Sequence, residues 1–528
     1  MRDFFQPGRG PVLAREAAVA TSHPLATAAG LEILALGGNA VDAAIAAVAV
    51  QCVVEPHMTG IAGDCFVLYA PAGQDVIALN GSGRAPAAAS VARLRDLGLT
   101  EIARTSPHAV TVPGAVAAWA KLHRDHGRLP FERLFARAIA YAEDGYPVTP
   151  RVARDWAEEA PLLAQDAGAR AAYLPDGRAP KAGERHAQPR LGARLREIAR
   201  EGADAFYLGP TAESLVRFLN GLGGLHTLDD FAAALDGADY VTPIRTRYRG
   251  YDVYECPPNG QGLATLMILN ILSGFDLSDT LSPADRAHLH AEATKLAYHH
   301  RDALIADPAH LPFPVEALLS DEVAATLRAR IDPTKARPAT LWNEAEHRDT
   351  VYLCVVDRDG NAVSFINSIF HAFGSTRLDP ETGIVLHSRG SSFRLIEGHP
   401  NAIGPRKRPM HTIIPGMLRK DGRTVAPFGV MGGHYQAAGQ AAFLSGVLDR
   451  GLNVQAAIDA PRSFAFDGVL EVEPALGEET IAALAARGHA IKRRTVPLGG
   501  GQAIWIDHGR GALWGASDRR KDGCALGF

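Results

Sequence analysis

The sequence has 528 residues, of which 47% are apolar and 21% are charged, and its formal net charge at pH 7 is -4. This composition is typical of a soluble globular protein and excludes a disordered chain. A near-neutral charge argues against a general nucleic-acid-binding surface, and short basic runs such as Arg406-Lys407-Arg408 do not change that.

The N-terminal residues and the cysteines together indicate the cellular compartment of the protein. No apolar segment of signal-peptide length begins the chain, and the most apolar predicted helix, around residues 43–54, is too short to span a bilayer. The five cysteines are scattered without metal-ligand spacing, which suits free thiols in a reducing compartment. The sequence therefore predicts a cytoplasmic protein without membrane contact.

The first half of the chain predicts strands alternating with helices that are rich in small apolar residues. Pro24 is expected to open a helix that ends before Gly37-Gly38, because proline fits the first helical turn and glycine the turn after a helix. The predicted strands are residues 19–22, 66–69, 76–79 and 249–254, and the predicted helices are residues 25–36, 42–53, 134–143 and 262–272.

Two polar segments before residue 300 match known catalytic patterns only in part. In Gly81-Ser82-Gly83 each glycine is one position too close to the serine for a nucleophile elbow, so we reject a serine hydrolase there. His288 and Glu292 are four residues apart on a predicted helix, but no His-Glu-x-x-His pattern completes a zinc site. We expect no metal, and a metalloenzyme that uses these two residues stays an alternative.

A predicted β-hairpin in the second half carries the main chemical signal. Two β-rich runs, residues 350–356 and 362–369, flank an Asp-Gly turn, which is a strong hairpin pattern. A polar connector, residues 332–346, precedes the hairpin, and Thr350 begins its first strand. If the chain were cut before Thr350, that residue would carry both a hydroxyl nucleophile and an α-amine base.

A glycine turn further along the chain is a candidate anion site. Gly432 and Gly433 lie between a predicted strand and a helix predicted at residues 436–448. Backbone N–H groups at a helix start can point at an anion, so both glycines are candidate donors to an oxyanion.

These segments resemble the γ-glutamyltransferase family of self-cleaving N-terminal nucleophile hydrolases. The family's catalytic threonine, its Val-Val-Asp-x-x-Gly-Asn-Ala-Val segment and its Phe-Gly-Ser/Thr segment correspond to Thr350, residues 355–363 and residues 373–375. The resemblance covers nearly the whole chain. It implies an α/β fold, the four-layer αββα sandwich, in which residues 1–349 form a large subunit and residues 350–528 a small subunit of one globular unit.

The same resemblance implies a mechanism. The precursor would cleave itself between Asp349 and Thr350, and Thr350 would then attack a substrate amide. Ser368 would orient the nucleophile, and the N–H groups of Gly432 and Gly433 would hold the oxyanion. No metal or organic cofactor is required. The expected partners are a small-molecule amide substrate and the two subunits of one precursor, with a higher oligomer left open.

The pocket positions of the family are partly replaced in this chain. Where glutathione-cleaving relatives have an arginine for the glutamyl α-carboxylate, this chain has Ser82, and Arg84 lies two residues along. Ser392 stands where those relatives have an aspartate for the α-amine. The other replaced positions are Phe370, for an asparagine, and His411 and Thr412, for paired serines.

Arg389 is new relative to the family pattern and lies in the same pocket segment. We expect it to hold a substrate carboxylate near the scissile amide, with His411 or His434 hydrogen-bonding nearby; a surface salt bridge is the alternative for Arg389. We therefore expect hydrolysis of a small carboxylate-bearing amide, as in the family's oxamate amidohydrolase branch. Hydrolysis or transfer of γ-glutamyl groups is the second hypothesis, and an uncleaved, non-catalytic binding protein is the third.

Overall fold

The structure, a computed structural model, describes residues 8–311, 313–338 and 350–528. In chain order its strands are β1 (Val12–Ala14), β2 (Ala18–Thr21), β3 (Asp64–Ala70), β4 (Ile77–Gly81), β5 (Tyr146–Pro147), β6 (Arg185–His186), β7 (Asp239–Val241), β8 (Ile244–Tyr248), β9 (Tyr251–Glu255), β10 (Val351–Val356), β11 (Ala362–Ser368), β12 (Leu378–Asp379), β13 (Ile384–Val385), β14 (Gly416–Lys420), β15 (Arg423–Met431), β16 (Ser463–Phe466), β17 (Val469–Val472), β18 (Ile491–Arg493), β19 (Gly500–Asp507), β20 (Ala512–Ser517) and β21 (Cys524–Gly527).

The helices lie mostly in two blocks, one before β7 and one after β9. They are α1 (Pro24–Ala35), α2 (Ala40–Val54), α3 (Val91–Asp96), α4 (Ala115–His126), α5 (Phe131–Leu134), α6 (Ala136–Asp144), α7 (Pro150–Leu163), α8 (Ala167–Tyr173), α9 (Pro189–Glu201), α10 (Asp204–Tyr207), α11 (Gly209–Gly221), α12 (Leu228–Ala234), α13 (Gly262–Leu272), α14 (Pro283–Leu304), α15 (Asp321–Arg328), α16 (Tyr435–Leu448), α17 (Val454–Asp459) and α18 (Glu478–Ala486). No helix among the described residues is long and apolar enough to cross a membrane.

Two antiparallel sheets of seven strands each form the centre of the described structure. One has the order β1-β20-β19-β15-β14-β9-β8, and the other has the order β21-β2-β10-β11-β3-β4-β7. Helices cover the outer face of each sheet, so the layers are helix, sheet, sheet, helix. The predicted αββα fold is confirmed, and the predicted helices at 25–36, 42–53, 262–272 and 436–448 appear as α1, α2, α13 and α16.

The alternation of side chains along β10 shows why the two sheets stack. Tyr352 and Cys354 point into the layer between the sheets, where they join Phe66 and Met417. Leu353, between them in sequence, belongs instead to the core under the helices of the first block. Both faces of β10 are therefore buried, which explains why its sequence is apolar throughout rather than alternating.

The turn of the β10–β11 hairpin also fixes the start of a helix. Asp357 Oδ1 accepts hydrogen bonds from the N–H groups of Asp359 at 3.0 Å and Asn361 at 2.9 Å. Its other oxygen, Oδ2, accepts from the N–H of Ala40 at 2.9 Å, at the first residue of α2. A carboxylate at a helix N-terminus interacts favourably with the helix dipole. One side chain thus joins the hairpin to the helical layer that covers it.

Candidate functional site

Thr350 lies at the end of the sandwich where three adjacent strands begin or end. It is completely buried, directly before Val351, the first residue of β10. The register that pairs Val351 with Asn367 and Ser368 with Asp64 puts Thr350, Ser368 and Asp64 side by side across β10, β11 and β3. Thr350 Oγ1 donates to Ser368 Oγ at 3.2 Å, as the predicted orienting role of Ser368 requires.

The glycine turn lies between the end of β15 and the start of α16. Gly432 has φ +122° and Gly433 has φ +58°, a backbone region that L side chains rarely adopt. Their carbonyls accept hydrogen bonds from Tyr435 N at 3.1 Å and Gln436 N at 3.2 Å, which bends the chain into the helix. The Gly433 carbonyl also accepts from Gln261 Nε2 at 3.0 Å. This turn and Thr350 are joined by Gln436, whose Nε2 lies 3.4 Å from Thr350 Oγ1.

Arg389 is a buried cation rather than a surface salt-bridge partner. It is 1% exposed, and its guanidinium carbon lies 3.8 Å from the centre of the Phe370 ring. Nη1 donates to Thr412 Oγ1 at 3.2 Å, while Nε and Nη2 have no hydrogen-bond partner among the described residues. Burial lowers the pKa of Arg389 to about 9, partly offset by Asp64, so the group is charged at neutral pH. A buried charge with unused donors is costly unless a ligand supplies the acceptor.

Asp64 is a buried carboxylate beside this arginine that the sequence did not single out. Oδ2 accepts from His411 Nε2 at 2.9 Å, and Oδ1 accepts from the N–H of Gly83 at 2.9 Å. Burial opposes its ionisation, but His387, the His411 hydrogen bond and Arg389 outweigh burial and lower the pKa of Asp64 to about 2. Asp64 is therefore ionised, and its negative charge favours the charged form of Arg389.

The two predicted pocket histidines both have partners inside the protein. His411 donates from Nε2 to Asp64, and its Nδ1 accepts from Ile413 N at 3.4 Å. Burial and then Arg389 lower the pKa of His411 to about 3, so its ring is neutral. His434 Nδ1 lies 3.0 Å from Arg301 Nη1, and since arginine can only donate, this nitrogen accepts and the ring proton is on Nε2.

The remaining predicted pocket residues lie around this centre in different roles. Ser82 is buried and its Oγ accepts from Asn259 Nδ2 at 2.9 Å. Ser392 Oγ donates to the carbonyls of Arg389 at 3.0 Å and Met410 at 2.8 Å. Arg84 has a 40% exposed side chain and lies 3.5 Å from Asp307 and 3.7 Å from Asp239. The structure therefore brings Arg389 and Thr412 together and places Arg84 in a separate ion-pair cluster.

A buried network that the sequence did not indicate supports the glycine turn from behind. Arg301 Nη1 donates to Gln261 Oε1 at 2.9 Å, and Gln261 Nε2 donates to the carbonyls of Gly433 and of Thr412, the latter at 2.7 Å. The His434 ring stacks on Phe466 with centroids 4.7 Å apart. Gln261, Arg301 and His434 are far apart in the sequence, so no local pattern marks this network before the chain is folded.

The possible metal ligands His288 and Glu292 meet a third one, His489, in the described structure. Their ligand atoms lie within 4.8 Å of one another. His288 Nε2 lies 2.8 Å from the Asp332 carbonyl and must donate to it, so its Nδ1 accepts from His489 Nε2 at 2.8 Å. Glu292 Oε1 accepts from Lys295 Nζ at 2.7 Å. Each ligand group thus has a protein partner, which favours a hydrogen-bonded cluster over a metal site.

The predicted connector is described only in part. Residues 332–338 are described, and the Arg337 N–H donates to the Glu292 carboxylate at 3.2 Å. Residues 339–349, which include Asp349 and the predicted cleavage point on its carboxyl side, lie outside the described residues.

Comparisons with known proteins place this geometry in a family. The family model described as gamma-glutamyltranspeptidase matches residues 26–528. The oxamate amidohydrolase proenzyme of Klebsiella pneumoniae is 38% identical over 96% of this chain and 97% of its own length. The glutathione hydrolase-like YwrD proenzyme of Bacillus subtilis is 37% identical over 98% of this chain and 99% of its own.

Solved structures agree with the sequence relatives. The crystal structure of cephalosporin acylase from Bacillus halodurans matches with a TM-score of 0.93 and 39% identity over 100% of this chain and 98% of that one. The Helicobacter pylori gamma-glutamyltranspeptidase structure matches with a TM-score of 0.57 and 27% identity, over 63% of this chain and 95% of that one. The family expected from the sequence is confirmed.

Proposed function

The chain belongs to the gamma-glutamyltranspeptidase family and is a hydrolase of amide C–N bonds, and on this premise we propose that it is a self-processing amidohydrolase that uses Thr350 as its nucleophile. The proposal is supported by the position of Thr350, buried at the start of β10 and hydrogen-bonded to Ser368. A threonine that begins a strand next to Gly432 and Gly433 combines a nucleophile with an adjacent anion site.

Processing is the first reaction in this proposal. Thr350 Oγ attacks the carbonyl carbon of residue 349, the C–N bond to Thr350 breaks, and the chain before Thr350 becomes an ester on Oγ. Water then hydrolyses the ester, which leaves a carboxylate on Asp349 and a free amine and hydroxyl on Thr350. The products are a large subunit, residues 1–349, and a small subunit, residues 350–528, which remain one αββα unit.

Turnover repeats the same chemistry on a substrate amide. The Thr350 α-amine, with an ordinary pKa of about 7.7–8.0, takes the Oγ proton as Oγ bonds to the substrate carbonyl carbon. The leaving amine departs with that proton, and water resolves the acyl-enzyme. N–H groups of Gly432 and Gly433 hold the oxyanion in both steps, and each such donor contributes roughly 3 kcal/mol.

Arg389 supports a substrate that carries a carboxylate close to the scissile amide. Its Nε and Nη2 are buried and have no hydrogen-bond partner among the described residues, and a carboxylate can accept from both in a fork geometry. Oxamate, in which the carboxylate is bonded to the amide carbon, is a substrate of this kind, and its hydrolysis would give oxalate and ammonia. Thr412 and Ser392 hold Arg389 from its two ends, Thr412 at the guanidinium and Ser392 at the carbonyl.

A γ-glutamyl substrate is the second candidate. Relatives named for glutathione hydrolysis favour it, including the Escherichia coli glutathione hydrolase proenzyme at 32% identity over 97% of this chain. Ser82 and Ser392 argue against it, because neither can form the charged pairs that a glutamyl α-carboxylate and α-ammonium require. Such charge-assisted bonds contribute roughly 1.5–3 kcal/mol each.

The test combines processing with substrate choice. Denaturing gels and N-terminal sequencing of the smaller band should find two chains, the smaller beginning at Thr350. Thr350→Ala should stay a single inactive chain, and Thr350→Ser should still process because its hydroxyl remains. Ammonia release from oxamate and glutamate release from glutathione are then measured side by side. If Thr350→Ala still yields two normal subunits, Thr350 is not the nucleophile of processing. If the enzyme releases glutamate from glutathione but no ammonia from oxamate, the proposed substrate is wrong.

A further inference from the structure

Gln436 places a carboxamide against the nucleophile from the first turn of α16. The side chain is fully buried, and its Nε2 lies 3.4 Å from Thr350 Oγ1. Its Oε1 accepts a hydrogen bond from the Ile414 N–H at 3.1 Å. The carboxamide therefore lies between the main chain of Ile414, just before β14, and the hydroxyl of Thr350, just before β10.

The orientation of this carboxamide follows from its partners. The Ile414 N–H can only donate, so the oxygen of Gln436 must face Ile414 and the NH2 group must face Thr350. One helical turn further on, Gln440 Nε2 donates to the Ile414 carbonyl at 2.9 Å. The two glutamines thus bind the two polar groups of Ile414, and of the pair only Gln436 also contacts Thr350.

We propose that the Gln436 NH2 group is a side-chain oxyanion donor for the tetrahedral intermediates formed at Thr350, an inference that rests on the proposed function. When Oγ bonds to a carbonyl carbon, the carbonyl π electrons move to the oxygen, which then lies one atom away from Oγ. A donor already aimed at Oγ is close to that oxygen. Its two N–H bonds allow one to contact Oγ and the other the oxyanion.

The length of the contact agrees with this role. A separation of 3.4 Å is long for a hydrogen bond in the resting enzyme. A donor that binds weakly to a neutral hydroxyl and strongly to a developing charge stabilises the transition state more than the ground state. The carboxamide would act beside the Gly432-Gly433 turn, so that backbone and side-chain donors meet the oxyanion together.

A matched pair of variants separates chemistry from anchoring. Gln436→Met removes the NH2 group, and Gln440→Met removes the second anchor of Ile414 without touching Thr350. We expect Gln436→Met to lower kcat about 100-fold with little change in KM, and to slow processing, as for loss of one oxyanion donor. Gln440→Met should process normally and keep kcat within about threefold of the unsubstituted enzyme. Equal kcat in both variants would overturn the proposal.

The variant Gln436→Glu gives a readout that an anchoring role alone would not change. Glu keeps the acceptor for Ile414 N–H, but it can donate toward Thr350 only when protonated. The kcat of Gln436→Glu should therefore fall as pH rises through the pKa of the new carboxyl, whereas that of the unsubstituted enzyme rises toward pH 8 as the α-amine loses its proton. A Gln436→Glu profile with the unsubstituted shape contradicts the proposal, even if Gln436→Met fails to fold.

Thr350→Ala, measured beside these variants, separates this inference from the proposed function. A processed and active Thr350→Ala protein would defeat the proposed function itself. An inactive, unprocessed Thr350→Ala protein together with a Gln436→Met enzyme of unchanged kcat would defeat only the role of Gln436.

Discussion

Arg389 is the residue whose substitution tests the substrate most directly. Arg389→Lys keeps a positive charge but loses the planar fork, and Arg389→Met loses both. We expect KM for oxamate to rise about tenfold or more in each, because charge-assisted hydrogen bonds contribute roughly 1.5–3 kcal/mol. Steady-state ammonia release measures the effect.

Arg84 provides the comparison for Arg389, since it is the other arginine of the predicted pocket. It lies near Asp239 and Asp307 and is partly exposed. Arg84→Met should leave KM for oxamate within about twofold of the original value, as for most surface substitutions. A rise in KM for Arg84→Met with none for Arg389→Met would assign the carboxylate to the Ser82 loop instead.

Asp64 gives the fold a pH dependence with a defined sign. Its pKa lies below the ordinary 3.8, at about 2, because His387, His411 and Arg389 outweigh burial. A depressed carboxyl pKa stabilises the fold above about pH 4, and that contribution is lost as pH falls toward 2. In Asp64→Asn the free energy of unfolding should change less between pH 4 and pH 2 than in the original protein, by roughly 2 kcal/mol.

Urea unfolding at a series of pH values measures this difference. Asp75→Asn is the control, because the Asp75 carboxylate is fully exposed, so its ion pair with Arg419 at 3.2 Å is screened by solvent. The free energy of unfolding of Asp75→Asn should change with pH by the same amount as that of the original protein. If the free energy of unfolding of Asp64→Asn also changed with pH as in the original protein, Asp64 would not be an ionised partner of Arg389 and His411 in the folded state.

At the scale of elements, the turn between β15 and α16 determines where the oxyanion donors lie. A Cβ at Gly432 would come within 2.8 Å of the Gly499 backbone, and the φ of +122° is itself unfavourable for any other residue. Gly432→Ala should therefore shift the turn and move the N–H donors, and kcat should fall.

Gly451→Ala is the matched control for that substitution. Gly451 follows the same helix with φ +65°, and a Cβ there meets no atom within 4 Å. Gly451→Ala should lose about 1 kcal/mol of stability, because alanine is strained at a positive φ, and its kcat should not change. Unchanged kcat in Gly432→Ala, or near-normal turnover in a folded Gly433→Pro variant, would mean that the oxyanion donors lie elsewhere.

At the scale of the whole molecule, His489 joins the part of the chain after Thr350 to the helix that carries His288 and Glu292. Since each of these groups already has a protein partner, we expect ammonia release to survive treatment with a chelator. Elemental analysis of the purified enzyme should find substoichiometric metal. A stoichiometric metal whose removal abolishes turnover would restore the metalloenzyme hypothesis.

The amino-acid sequence by itself determined the local parts of the site. The hairpin, Thr350 at its first strand and the glycine turn before α16 are recognisable because each depends on neighbouring residues: an Asp-Gly turn, a run of β-branched side chains, and two glycines at a helix start. Small-residue helices such as α2 could be placed for the same reason.

Only the tertiary structure decided which distant side chains meet at Thr350. Asp64 and Gln436 lie far from Thr350 in sequence, and they reach it through the register of β3, β11 and β10 and through the packing of α16. Arg84 and Arg389 are chemically alike, yet one lies in a partly exposed ion-pair cluster and the other is buried over Phe370. Long-range pairing and burial separate them, and neither is encoded in the spacing of neighbouring residues.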